Sequence, residues 1–397
     1  MSRILCVWEL GVGLGHLAPL AALIDELTRR GNEVFCAVKD LSQAHIFFED
    51  STVTLIQAPV WLVRSNASSK THSFADILLS RGYHSVDTLA SLISAWSSLY
   101  DFVNPDLVVF DHSPTAMLAA RLKNFPRVIF STSFVTPVPG AALISLLPWE
   151  KDEEAVVSSE ERVLVTIKQC VDKFKASPLR YIGDIYESKL TVLHGFMELD
   201  FYQGTRSDCR YIGSLENSGT LFQKPQWKQN TSPKVFAYLR CQAAHSERIL
   251  EALSQLDADV CCYYIGASSD LCAKWSDRMH ISNKPFDLNL AHKAADVVVC
   301  HGGAGTVNSA LQAGLPVVSA PIQLEQVHTS ILVEKHCVGV SISPNDDLVN
   351  MVSRLKAVLD DSSYQENAKR FLTAYGSLNS VQSIVQVADG IEGLQLE

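Results

Sequence analysis

Residues Cys300 to Pro321 read CHGGAGTVNSALQAGLPVVSAP. The run at 296–300 (DVVVC) has the length and β-branched content of an interior parallel strand. Gly302, Gly303 and Gly305 then let backbone N–H groups approach a ligand with no Cβ in the way. From Ala304 to Gln312 the pattern is helical, Gly314 stops it, and Leu315-Pro316 opens the next strand. The free N–H groups and positive dipole end of that helix face an anion, with His301 at the carboxyl end of the strand as an added donor. A diphosphate suits such a junction. The segment is neither a G-x-G-x-x-G dinucleotide fingerprint nor a G-x-x-x-x-G-K-[ST] loop.

Outward from this segment, strands and helices alternate twice over. Apolar runs predict strands near 4–10, 33–39, 54–59, 106–111, 127–133, 189–195 and 210–214, then near 234–240, 259–266, 278–285, 296–301, 316–321 and 339–343. Helix-period segments separate most of them. The expected fold class is therefore α/β, with two Rossmann-like, doubly wound parallel-sheet domains facing a central cleft. The polar, Gly- and Pro-bearing stretch ENSGTLFQKPQWKQNTSP at 216–233 marks a linker. That gives an N-terminal domain at 1–216, a linker at 217–233 and a C-terminal domain at 234–377, with a last helix at about 378–397 placed to pack back on the first domain. Ligand is expected in the cleft, at the carboxyl ends of the strands.

Composition narrows the function classes. A length of 397 residues suits two or three domains at roughly 100 to 200 residues each. A hydrophobic content of 47% supplies their cores. The formal charge of −10, with no basic run longer than Arg29-Arg30, argues against a nucleic-acid partner. Ten cysteines are scattered without zinc spacing, and Cys6, Cys261, Cys262 and Cys300 fall inside predicted strands, as small core hydrophobes do in a reducing, cytoplasmic compartment. The chain opens directly on a strand, without an export signal, and no uncharged apolar stretch of roughly 18 residues offers a membrane span. Composition fixes no oligomeric state.

The first strand runs into WELGVGLGHLAPLAALIDELTRRG at 8–31, where Gly11, Gly13 and Gly15 make a second cradle. A dinucleotide fingerprint would place its third glycine at His16, whose side chain obstructs the helix packing that glycine permits. Asp111 ends the strand DLVVFD at the same carboxyl edge, so the two side chains are placed to meet over the sheet. Capping of the next helix is the alternative role for Asp111, and neighbouring His112 is a rival for its place.

At this point a family resemblance becomes specific. His301-Gly302-Gly303-x-Gly305-Thr306, the AL-x-x-G-x-P-V-V-x-x-P stretch behind it and the pair Glu325-Gln326 resemble the donor-sugar signature of GT-B glycosyltransferases. The nearest likeness is to the UDP-glycosyltransferase superfamily of bacterial macrolide and plant natural-product enzymes. Gly15-His16-Leu17-Ala18-Pro19 is similar to that superfamily's Gly-His-x-x-Pro segment, whose histidine is the catalytic base. The resemblance implies His16 as base with Asp111 orienting it. It implies a diphosphate held by His301, Gly303, Ala304, Gly305 and Thr306, a sugar read by Glu325 and Gln326, and a glycine loop (Gly13, Gly15) facing the donor. The chemistry agrees, because an acceptor hydroxyl must lose its proton as it attacks the anomeric carbon, and imidazole titrates near neutrality.

Several positions depart from the family pattern. Arg240, ending VFAYLR, stands where a small turn residue is usual, and is either a guanidinium clamp on the phosphates or ordinary surface charge. Ser309 replaces a ribose-gripping Glu, which leaves uridine against thymidine open, and Glu325 is one methylene longer than the usual Asp. Pro285 and Phe286 lie in the place of the segment that holds the base, without its Trp or Gln. No Glu-x7-Glu pair surrounds the phosphate turn, which points to inversion. No metal and no other cofactor is expected, because Asp257-Ala258-Asp259 precedes a strand at its amino edge. The acceptor pocket falls at 61–96 and 134–149, where VTPVPGAALISLLPW suggests a small apolar acceptor. The expected function is an inverting, metal-independent hexosyl transfer, from a UDP-sugar by preference, to a hydroxyl of such an acceptor. The alternatives are a nucleotide-sugar 2-epimerase and a nucleotide-sugar-binding protein that has lost turnover.

Overall fold

The computed structural model describes the chain apart from residues 12–13, 49–50, 63–69, 148, 151, 175–176, 216–221, 229–232 and 395–397. Gly13 of the glycine loop and much of the 217–233 linker therefore lie outside the described residues. The chain divides into two compact units, one of Met1–His194, Tyr202–Tyr211 and Val381–Glu397, the other of Gly195–Phe201 and Ile212–Ser380.

The first unit holds β1 (Arg3–Trp8), β2 (Glu33–Val38), β3 (Thr54–Gln57), β4 (Leu107–Asp111), β5 (Arg127–Thr132), β6 (Leu190–His194) and β7 (Arg210–Tyr211). All pair in parallel, in the order β3-β2-β1-β4-β5-β6-β7. Its central strands are mostly apolar and largely buried on both faces, as helix-covered parallel strands must be, with polar residues toward their ends. The order reverses between β1 and β4, where Trp8 stands opposite Asp111. Crossovers leave a crevice at such a reversal, outside the carboxyl ends of the strands.

The second unit repeats the plan with β8 (Lys234–Arg240), β9 (Asp259–Ile265), β10 (His280–Ser282), β11 (Val297–Cys300), β12 (Val317–Ser319) and β13 (Gly339–Ser341). Again all pairs are parallel, in the order β10-β9-β8-β11-β12-β13, and the reversal falls between β8 and β11. Cys300 at the end of β11 has Tyr238 of β8 on one side and Ser319 of β12 on the other. Asp259 opens β9, so the Asp257-Ala258-Asp259 triplet lies at the amino edge of its sheet.

The last helix, Ser380–Gly393, belongs almost wholly to the first unit. It buries Ile384, Val387, Ala388 and Ile391. Arg30, at the end of the first helix, reaches it through Asp389 Oδ1 (2.7 Å), Glu392 Oε2 (2.8 Å) and the Val385 carbonyl (3.1 Å). Among the described residues no helix is long and apolar enough to cross a membrane.

Candidate active site

At the β1/β4 reversal the chain leaving β1 turns into the helix Leu14–Arg29, which carries His16 in its first turn. His16 Nδ1 lies 2.7 Å from Asp111 Oδ2. Asp111 is 2% exposed, and its other oxygen accepts the Ser131 hydroxyl at 2.5 Å from the end of β5. Burial pushes the Asp111 pKa up. The facing His16, its hydrogen bond and the Ser131 hydroxyl outweigh that, and the net displacement is below the ordinary aspartate value. An ionised carboxylate only accepts, so Nδ1 of a neutral His16 carries the proton and Nε2 the lone pair.

The ring is fixed from several sides. Trp8 stacks on it with 5.6 Å between centroids and 20° between planes. Gly11 has φ +93°, and a Cβ there would stand 2.4 Å from His16 Nε2, so only glycine leaves room for the imidazole. Lys39 Nζ holds the Gly11 carbonyl at 2.5 Å. The capping role for Asp111 does not hold, since both its oxygens are engaged elsewhere. The N–H groups of Thr115 and Ala116, opening the helix Pro114–Ala120, go instead to buried Glu9 Oε2 at 2.9 and 3.1 Å. Ser131, Trp8, Lys39 and Glu9 were not expected at the site. Ser131 was detectable only as a polar residue ending an apolar strand.

In the second unit the glycine turn follows β11 as expected. The helix Ala304–Gln312 begins with Gly303 at its N-cap and no side-chain capping bond. Gly303, Ala304, Gly305 and Thr306 are all at least partly exposed, and added Cβ atoms at Gly303 and Gly305 would meet nothing within 4 Å. The helix start thus presents backbone donors to an open approach.

His301 requires a correction. Its Nε2 accepts the backbone N–H of Arg240 at 2.9 Å, so the ring proton is on Nδ1, which faces the Ala320 carbonyl at 2.8 Å. Burial leads the lowering of its pKa, with His245 and Arg240 adding to it, so the ring stays neutral. With both nitrogens committed, His301 does not donate to an anion. It ties the ends of β8 and β12 to β11 and so shapes the turn.

The expected nucleoside contacts are corrected as well. Phe286 is 2% exposed and packs edge-on to Phe236, and the Ser309 hydroxyl faces buried His292 Nδ1 at 3.0 Å. Both side chains serve the interior of the unit, whereas Pro285 is partly exposed. Glu325 is partly exposed in the first turn of the helix Leu324–Lys335. Gln326 is buried, with Oε1 accepting the Ile322 N–H at 2.9 Å. The Arg240 side chain is exposed, and Gly15 is exposed beside His16.

Two parallel sheets of this plan, each with its candidate residues at the strand-order reversal, define the GT-B class. Residues 247–388 match the C-terminal domain of the erythromycin biosynthesis protein CIII-like family. The match over this part of the chain and the similarities that follow support a GT-B, UDP-glycosyltransferase-like protein. It is 21% identical to the zeaxanthin glucosyltransferase of Pseudescherichia vulneris over 95% of this chain and 94% of that one. It is also 21% identical to a PGL/p-HBAD biosynthesis glycosyltransferase of Mycobacterium tuberculosis, over 75% and 73% of the two chains. Among solved structures, the calicheamicin glycosyltransferase CalG4 superposes with a TM-score of 0.73 at 17% identity, covering 99% and 98% of the chains. The spinosyn rhamnosyltransferase SpnG, solved with spinosyn aglycone, has a TM-score of 0.69 at 15% identity, covering 98% and 100%. The epimerase alternative has no support in these similarities.

Proposed function

We propose that the protein transfers a hexose, with inversion, from a pyrimidine nucleoside diphosphate sugar to a hydroxyl of a small apolar acceptor, without a metal ion. The observation that carries the reading is the 2.7 Å contact between His16 and buried Asp111 at the strand-order reversal. As the acceptor oxygen bonds to the anomeric carbon, its proton passes to His16 Nε2 and the bond from that carbon to the diphosphate oxygen breaks. Asp111 keeps the productive tautomer and stabilises the imidazolium. The departing diphosphate takes up the electron pair, and the N–H groups at Gly303 to Thr306, the Thr306 hydroxyl and exposed Arg240 meet its charge. Glu325 and Gln326 read the sugar.

Helix N–H donors do the work a divalent cation does elsewhere. Among the described residues the one cluster of potential metal donors, His72, Glu150 and Asp152, includes no residue of the dyad. The resemblance favours uridine but Ser309 leaves thymidine open, and two of the structural neighbours were solved with thymidine diphosphate. Apolar acceptors are in keeping with the zeaxanthin and spinosyn enzymes among the relatives.

The first test is a thermal-shift panel of UDP, dTDP, GDP and their sugar conjugates, with and without EDTA. One pyrimidine diphosphate should raise the melting temperature by mass action, equally in EDTA. A shift that EDTA abolishes would defeat the metal-free reading. The second is His16→Ala, expected to abolish transfer while leaving nucleotide affinity within about threefold. Loss of both would make His16 structural.

A further inference from the structure

With Phe286 and Ser309 committed to the interior, the nucleoside of the donor needs other side chains, and the register of the second sheet supplies two. Cys300, Tyr238, Tyr263 and Ser282 stand opposite one another in β11, β8, β9 and β10, so they form one row on one face of the sheet. The glycine turn leaves the row at Cys300, and 283–285 leaves it at Ser282. The two tyrosines between them stack with 5.1 Å between ring centroids and 8° between planes. Both are partly exposed. Among the described residues neither hydroxyl has a hydrogen-bond partner, and neither is among the buried polar atoms left unpaired, so both are open to a ligand. The hydroxyl of Tyr264, on the other face of β9, is buried by contrast. Exposed Arg240 lies two residues beyond Tyr238 on the same face, and its backbone N–H is held by His301, the first residue of the turn. Burial pushes the Tyr238 pKa up to about 12, with Tyr263 adding and the Arg240 charge opposing, and burial likewise raises Tyr263 against Arg240. Each phenol therefore keeps its proton near neutral pH and can both donate and accept.

The geometry points to Tyr238 and Tyr263 as the residues that hold the nucleoside of the donor, their hydroxyls bonding its ribose and its base while the diphosphate lies at Gly303 to Thr306. It rests on the donor being a pyrimidine nucleoside diphosphate sugar, as proposed above. Neighbouring strands are roughly 4.8 Å apart, so Tyr238 stands one spacing from β11 and Tyr263 two. That is about the reach of a nucleoside from its phosphates. The order along the row is then diphosphate at the turn, ribose at Tyr238 and base at Tyr263. The ring bodies pack on the buried side chains of Phe236 and Cys261 below them, and only their polar tips are offered to the ligand.

The test titrates UDP, dTDP and inorganic pyrophosphate calorimetrically into the full-length protein. Wild type should bind one of the two nucleotides at least about tenfold tighter than pyrophosphate. The double variant Tyr238→Phe, Tyr263→Phe keeps both rings and removes both hydroxyls. It should weaken that nucleotide about five- to thirtyfold, the worth of two hydrogen bonds, and leave pyrophosphate unchanged. Each single substitution should carry part of the loss, which keeps the result readable if the double variant folds poorly. Full nucleotide affinity in the variants, or equal weakening of nucleotide and pyrophosphate, would overturn the assignment of the tyrosines and leave the donor site standing. A wild type that binds neither nucleotide more tightly than pyrophosphate sinks the donor site itself, and the tyrosines with it.

Discussion

Asp111 shows how the site is made at the scale of single residues. Its carboxylate is buried, yet it stays ionised because His16 and Ser131 occupy its two oxygens. Asp111→Asn retains the shape and removes the charge, so the imidazolium loses its partner. Its kcat should fall by roughly 10²- to 10⁴-fold, with nucleotide affinity unchanged. Steady-state rates beside a nucleotide titration check this, and a fall under about threefold would return Asp111 to a structural role. Glu9 makes the opposite case. Burial drives its pKa up to about 7, against two backbone N–H groups and the nearby Thr115 hydroxyl. The folded state therefore holds a proton that the unfolded state releases near pH 4.5. Its stabilising contribution is complete below that pH and is lost as pH rises through about 7. Glu9→Gln still accepts from Thr115 and Ala116 without the pH-dependent proton. The variant should flatten the decline in stability between pH 5 and pH 8, by roughly 1 to 3 kcal/mol. Urea melts at the two pH values measure it, and parallel profiles for variant and wild type would refute the assignment.

The elements explain what was legible in the sequence. Every strand near the catalytic edge was readable, because a strand buried on both faces is written as an unbroken β-branched run such as VVVC or LVVFD. The pairing of His16 with Asp111 was readable from position, since Asp111 ends β4 and His16 opens the helix that follows β1. The role of His301 was hidden, because its partners Arg240 and Ala320 lie 61 and 19 residues away and become neighbours only through the order β8-β11-β12. Crossover order is not written in local periodicity. Ser309 and Phe286 were misplaced likewise, since a helix register does not reveal that Ser309 faces His292. The start of the helix Ala304–Gln312 permits a prediction that separates folding from binding. Gly305 is exposed and a side chain there meets nothing, so Gly305→Asp relieves a helical glycine and adds an anion at the positive helix end. Stability should hold or rise, while UDP affinity falls at least about tenfold through repulsion of the diphosphate. Calorimetric titration and thermal melts read the two separately. A variant that binds UDP normally would remove the diphosphate from this turn.

At the scale of the whole molecule, the chain does not keep to one unit per half. After the second unit it returns, and the helix Ser380–Gly393 completes the first. Four apolar side chains, Ile384, Val387, Ala388 and Ile391, are buried by that return. At roughly 1.5 to 3 kcal/mol for each of the large ones, they exceed the few tenths to one that each exposed ion pair of Arg30 contributes. Asp389 and Glu392 therefore set where the helix lands more than how firmly it holds. Ending the chain after residue 379 should lower the melting temperature of the first unit by about 10 °C or more, while UDP binding by the second unit persists. Arg30→Ala should shift the same transition by only a few degrees, roughly 1 kcal/mol or less. Limited proteolysis with mass spectrometry assigns the loss, since cuts should appear first within 1–194 in the shortened chain. If that chain melts like the full one, the final helix is an ornament of the first unit and its buried apolar face carries no stability.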